Sequence, residues 1–206
     1  MEHKDEFIRL PDDKQEAIIN SAMRVFAASG YKKAYISEIA SEAGISKALV
    51  FYYFGTKKAL YFYLVDYAYN LIMTELKNSQ ISKTDDFFDR IKMIASVELS
   101  LMKKHAFITR FINSMYFETD KEVTGDLQTL FAGGGATREN LALDGVDLTR
   151  FKAGVDPKLV VTILVKFTEG VVNSRTSAQS FEESLDEFEN CLELLKNNLY
   201  KEELLS

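Results

Sequence analysis

Between Ile36 and Gly55, Ser46, Lys47, Tyr52 and Tyr53 place hydroxyl and ammonium donors among small and apolar residues, with Ser37 near the start of the stretch and Lys57 just after it. Donors of this kind suit phosphate oxygens and the acceptor groups of base edges. They do not suit bond-breaking chemistry, and the rest of the chain supplies none. His3 and His105 have no partner at metal-ligand spacing, and Cys191 sits within a leucine seam where burial would keep its thiol inert. Gly133-Gly134-Gly135 is followed by Ala136-Thr137, without the Gly-Lys-Ser/Thr of a phosphate-binding loop, and reads as a glycine-rich connection between helices. No catalytic set, metal site or cofactor is expected, so the chain reads as a binding protein and not an enzyme.

The donors need a scaffold, and the same stretch provides one. Two steeply crossing helices require a small residue at their approach, which Ala40 supplies, and a tight turn, which Gly44 permits. Ile39, Ala43, Ile45, Val50 and Tyr53 fall where these two helices and the one before them must meet. Ser46 is a helix cap that presents the first turn of the second helix outward. Lys47, Ala48, Leu49 and Tyr52 then occupy its exposed side, as a recognition helix in a major groove would.

Residues 12 to about 65 resemble the DNA-binding head of TetR-family repressors. The resemblance rests on Phe26-(x)3-Gly30-Tyr31, on Ile39-Ala40-(x)3-Gly44-Ile45-Ser46-Lys47, and on Tyr52-Tyr53-Phe54-(x)2-Lys57-(x)2-Leu60. It implies an all-α fold: a three-helix helix-turn-helix head joined by a long fourth helix to a helical ligand-binding and dimerisation domain. It also implies contacts to a double-stranded DNA operator from Ser37, Ser46, Lys47, Ala48, Leu49, Tyr52, Tyr53 and Lys57, the last to a phosphate. Family proteins of this kind act as homodimers, and a ligand tilts the fourth helix and changes the separation of the heads. Some positions depart from the family pattern. Tyr35 stands where threonine is common, Phe51 lacks the hydroxyl of a frequent tyrosine, and Ala48 and Leu49 replace glycine and threonine.

The remaining periodicity divides the chain into a head at 12–58 and a helical domain at 59–206. Helices are expected from Asp12 to Ser29, from Thr56 to about Lys77, from Asp85 to Lys104, from Ala106 to Glu118 and from Asp120 to Phe131, with the glycine run ending the last of these. Residues 138–155 carry no readable pattern. Asp156 and Pro157 open a helix that is apolar on most sides, and Ser180 with Glu183 forms a capping box for the final one. Leu164, Phe167, Leu185, Phe188, Leu192 and Leu195 on this pair are expected at the dimer interface. Phe107, Phe111 and Met115, with Glu98 as a polar anchor and Asn113 and Thr109 behind it, are candidates for lining a small apolar ligand site.

Charge neither supports nor forbids nucleic acid. The chain carries −6 overall, but residues 1–60 hold nine basic and eight acidic side chains, leaving −7 for the remainder. A helical sensor or carrier whose head does not bind DNA therefore stays open beside the regulator. No apolar run is long enough for a membrane span. A lone Cys191, unable to form an internal disulfide, fits a cytoplasmic protein.

Overall fold

Pro11 opens the first long helix, its missing N–H costing nothing at a helix start, and Asp12 and Asp13 favour the positive end of the helix dipole. In the computed structural model, which describes residues 4–174 and 179–204, this helix is α2, Asp12–Lys33. It follows a one-turn α1, Lys4–Ile8. The helix-turn-helix is α3, Ile36–Glu42, and α4, Lys47–Phe54. Beyond it lie α5 (Lys57–Asn78), α6 (Phe87–Lys104), α7 (Ala106–Tyr116), α8 (Thr124–Leu143), α9 (Pro157–Ser174) and α10 (Gln179–Leu199). Among the described residues there is no strand, only an isolated antiparallel bridge between Phe151 and Tyr200, and no helix long and apolar enough to cross a membrane.

The chain forms two compact units, one of residues up to Thr74 together with Ser100–Leu130, the other of Glu75–Leu99 together with the residues from Phe131 onward. In the first unit Ile18, Ala22, Val25 and Phe26 of α2 are all buried, as their spacing predicts. Ile39, Ala40, Val50, Phe54, Leu60, Tyr61 and Leu64 are buried in the same unit. Gly30 does stop the regular helix: at φ 68°, ψ 168° it occupies a region essentially closed to other residues, and the chain turns there before a last helical turn. Thr56 caps α5 as expected, its Oγ1 accepting from the Ala59 N–H at 3.0 Å.

The second unit is built around Phe87, Phe88, Phe151, Val160, Val161, Leu164, Phe188, Leu192 and Tyr200. Its unreadable stretch acquires order from residues far along the chain. Lys152 N–H donates to Leu199 O at 2.8 Å and Lys201 N–H to Arg150 O at 3.0 Å, while Phe87 N–H donates to the Tyr200 hydroxyl at 3.1 Å. Buried Arg90 donates from Nε to Thr84 O at 3.0 Å and from Nη1 to Asp144 O. Asp86 accepts from Arg150 Nη1 at 2.9 Å, Lys196 Nζ at 3.3 Å and the Asp89 N–H at 3.0 Å.

Three expectations are corrected. The glycine run does not end a helix, since α8 continues through Gly133–Gly135 to Leu143. Each glycine costs about 1 kcal/mol relative to alanine, but Leu127 before the run and Ala142 after it are both buried, so packing at both ends holds the helix through its weak centre. That helix starts at Thr124 and α7 ends at Tyr116, which leaves Glu118 and Asp120 in the turn between them. Ser180 is not the cap of α10, which is already helical at Gln179. The side chains of Ser180, Phe181 and Leu185, and that of Met102, lie outside the described residues.

The Asp86 carboxyl feels burial pushing its pKa up, but the Asp89 N–H, Lys196 and Arg150 outweigh this and hold it below the ordinary aspartate value. A depressed folded-state pKa gives stability that is present above the unfolded value and disappears as the pH falls through the folded one. Asp86→Asn should therefore destabilise the protein near pH 7, and its deficit relative to wild type should shrink steadily on acidification below about pH 4. Urea unfolding across that range checks this; a deficit independent of pH would contradict the charge-based account.

Candidate nucleic-acid interface

The turn between α3 and α4 depends on Gly44, whose φ of 66° lies in the left-handed region. Ile45 N–H donates back to Ala40 O at 3.0 Å, closing the turn over the small residue. Ser46 Oγ accepts from the Leu49 N–H at 3.2 Å, which fixes where α4 begins. Val50, Tyr53 and Phe54 then point inward, so the opposite side of the helix is presented to solvent.

That outward side holds Lys47, Ala48, Leu49 and Tyr52, with Ser46 at its start and Ser37 exposed on α3. Phe51 is also exposed and lies under the Lys47 ammonium, which is 5.8 Å from the ring centroid. Tyr35, before α3, is 67% exposed and makes no side-chain cap. Sequence reasoning noted Phe51 and Tyr35 only as departures from a pattern; it did not place their rings on the surface. The structure puts Tyr53 on the packed side at 9% exposure, its ring edge-on to Phe7 and Phe54. Lys57 is half-buried: its Nζ donates to Lys32 O at 3.2 Å and stands 4.6 Å from the centre of the Tyr31 ring. Burial pushes the Lys57 ammonium pKa down, against the pull of Glu122, Asp120 and Glu118.

A contact that the sequence did not reveal joins α1 to this surface. Phe7 is fully buried, with ring centroids 4.9 Å from Phe54, 5.4 Å from Tyr63 and 5.8 Å from Tyr53. The neighbouring Glu6 accepts a hydrogen bond from the Tyr52 hydroxyl, Oη to Oε2, at 2.6 Å. Burying a phenylalanine contributes roughly 1.5–3 kcal/mol, which fastens the segment to the head. The signal was one apolar residue within a charged run, too little to assign a contact from sequence.

The other candidate residues have mixed placements. Phe111 is buried with its ring 5.3 Å from Tyr61 and 6.3 Å from Phe26, and Met115 is buried nearby on the same helix, so both are used in the core of the first unit. Phe107 is exposed, Thr109 is buried and Asn113 is half-buried. Burial raises the pKa of the Glu98 carboxyl, opposed by Arg138. In the second unit Leu164, Phe188 and Leu192 are buried and Phe167 and Leu195 half-buried against the chain's own core, while Leu185 lies outside the described side chains. Leu164, Phe188 and Leu192, expected at a dimer interface, are thus packed within this unit's own core. Among the described residues, the large apolar groups exposed on this helix pair are Leu159, Ile163 and Leu194, at 56%, 50% and 64% exposure.

Residues 18–64, the span containing this turn and reading helix, match the model of bacterial regulatory proteins of the tetR family. The match covers that span alone, 47 of the chain's 206 residues. The uncharacterised HTH-type transcriptional regulator YerO of Bacillus subtilis is 39% identical over 67 residues, 32% of this chain and 23% of YerO, so the chain spans under a quarter of that relative. The likeness of fold extends further than the sequence match. A TetR-family regulator from Chloroflexus aurantiacus superposes with a TM-score of 0.73 at 18% identity, covering 96% of this chain and 98% of that one. The regulator FadR of Bacillus subtilis, in complex with stearoyl-CoA, superposes with a TM-score of 0.67 at 17% identity, covering 87% and 96%.

Within this span, the position of α4 depends on its cap. Ser46→Ala should cost about 1 kcal/mol of stability, visible as a lowered urea midpoint. A midpoint identical to wild type would show that Ser46 does not fix the start of α4.

Proposed function

We propose that this protein is a sequence-specific DNA-binding transcriptional regulator, a homodimeric repressor released from its operator by a small apolar ligand. The observation that carries the reading is the two-sided α4, with Val50, Tyr53 and Phe54 inward and Lys47, Ala48, Leu49 and Tyr52 outward, in the span that matches the family. In this reading residues 12–58 contact DNA, and residues 59–206 serve ligand binding and dimerisation. Ser37, Ser46 and Lys57 hold the backbone, while Lys47 donates to guanine or phosphate, and Ala48 and Leu49 meet thymine methyls. Tyr53 contributes mainly by seating the helix. Phe51 and Tyr35 add aromatic surface beside it.

The ligand component draws on FadR of Bacillus subtilis, a protein of the same fold solved with stearoyl-CoA. Phe107, exposed on the first unit, is a ligand-site candidate that its core does not use. A ligand that favours the DNA-free state by about 1–3 kcal/mol would lower operator affinity roughly 5–150-fold.

Fluorescence anisotropy of the full chain on DNA flanking its own gene, and on a randomised pool, tests the regulator. Binding should be saturable, fall more than about tenfold between roughly 50 and 200 mM salt, and collapse in Tyr52→Ala. Absence of any sequence preference would leave a helical sensor whose head does not read DNA.

Dimerisation through α9 and α10 is the reading that the outward Leu159, Ile163 and Leu194 support, and it would set two recognition helices about 34–36 Å apart over successive major grooves. Leu194→Asp should give a folded monomer with weakened operator affinity, whereas Leu192→Asp, in the core, should unfold the second unit instead. Sedimentation analysis with circular dichroism separates these outcomes. A Leu194→Asp protein that remains a tight dimer would move the interface elsewhere.

A further inference from the structure

Tyr52 is the largest donor on the outward side of α4, one helical turn from both Ala48 and Leu49, and its hydroxyl is already engaged. Its partner is Glu6, whose carboxylate only accepts hydrogen bonds when ionised, so the single phenolic proton lies in the 2.6 Å bond between them. What Tyr52 then offers outward is oxygen lone pairs. The arrangement is held from behind. Phe7, next in sequence to Glu6, is fully buried against Tyr53, Phe54 and Tyr63. Gln15 Nε2 donates to Ile8 O at 3.0 Å and Leu10 O at 2.8 Å, tying down the turn that follows α1. A segment fastened on both sides of Glu6 stays in place when a partner approaches, and the Glu6–Tyr52 pair is a standing part of the reading surface.

We propose that Glu6 sets the hydrogen-bond polarity with which Tyr52 reads DNA, making the pair selective for a base that carries an amino group in the major groove. This rests on the DNA-binding function proposed above. The donors on base edges in that groove are N6 of adenine and N4 of cytosine, whereas guanine and thymine present acceptors. An acceptor-only hydroxyl is satisfied by adenine or cytosine at its position and is left unpaired, or repelled, by guanine or thymine. It is likewise a poor partner for phosphate oxygens. Glu6 is therefore a positioning residue that acts through Tyr52 on specificity and not a general contributor to affinity.

The test is selection from a randomised DNA pool with full-length wild type, Glu6→Ala, Glu6→Gln and Tyr52→Phe, followed by anisotropy on single-base variants of the selected site. Wild type should show one position per half-site restricted to adenine or cytosine, where guanine or thymine lowers affinity roughly fivefold or more. Glu6→Ala, which returns the phenolic proton, should relax that position and leave the others unchanged. Glu6→Gln is neutral but keeps an oxygen that can accept from the phenol, and should retain the restriction. Tyr52→Phe should lose it at the same position. A Glu6→Ala protein that selects the wild-type site with undiminished discrimination overturns the proposal. So does an equal gain in affinity for all sequences in Glu6→Ala and Glu6→Gln, which would make Glu6 a charge screen only. A wild type that selects no site would instead remove the proposed function itself, a result distinguishable from either.

Discussion

What α4 can offer a partner depends on the burial of Val50, Tyr53 and Phe54 against the rest of the first unit. A helix of eight residues is too short to persist alone in water, so its position is borrowed from the core beneath it. The core has an aromatic framework. Phe26, Tyr31, Tyr61 and Phe111 stand within 5.0–6.3 Å of one another in several pairs, and Phe7, Phe54 and Tyr63 form a second group. Ring pairs of this type gain from edge-to-face geometry beyond their buried area and have few rotamers to lose. A recognition surface has to hold side chains in register with base edges, and rigid rings serve that purpose better than flexible aliphatic chains.

The corner at Gly30 ties that framework to α7. The backbone bend aims the Tyr31 N–H at the Glu118 carboxylate, 2.6 Å away, and Glu118 also accepts from the Thr119 and Asp120 N–H groups. A Cβ at Gly30 would stand 3.5 Å from Glu118 Oε2, an ordinary contact, so the demand for glycine comes from the backbone angles and not from crowding. Lys57 joins the same corner through Lys32 O and the Tyr31 ring. An ammonium has three protons, and one bond to a carbonyl leaves donors for a phosphate. The cation–ring contact holds the charge near the surface where that use is proposed.

Legibility in the sequence followed the range of the interactions. The helix-turn-helix could be read because Ala40, Gly44 and Ser46 act on neighbours a few residues away, and each residue type has one strong local preference. The caps at Thr56 and Asp156 were readable for the same reason. Phe7 was not, since its partners at positions 53, 54 and 63 lie far along the chain and its own surroundings are charged. Arg90 gave no sign of its buried role, which is defined by the carbonyls of Thr84 and Asp144. The stretch around Phe151 is ordered by pairing with Tyr200 and had no periodicity to display. The glycine run misled because propensity was weighed without the buried residues that flank it.

The last two helices show a subtler limit. Periodicity in α10 correctly marks an apolar side, with Phe188, Leu192, Leu195 and Leu199 along it, but an apolar side faces whatever covers it, and pattern alone does not say whether that is the same chain or another. The structure divides the duty by exposure. Val160, Val161 and Leu164 of α9 turn inward with the α10 seam, while Leu159 and Ile163 remain outside, as does Leu194 on α10. A helix that is apolar nearly all round needs a second cover once its own core is satisfied. The proposed dimer would provide that cover, and would give a pair of weakly binding heads a joint hold on DNA through high effective concentration. In the proposed function, the second, outer set of apolar residues is thus best understood through the needs of α4, which is short and would make few base contacts by itself.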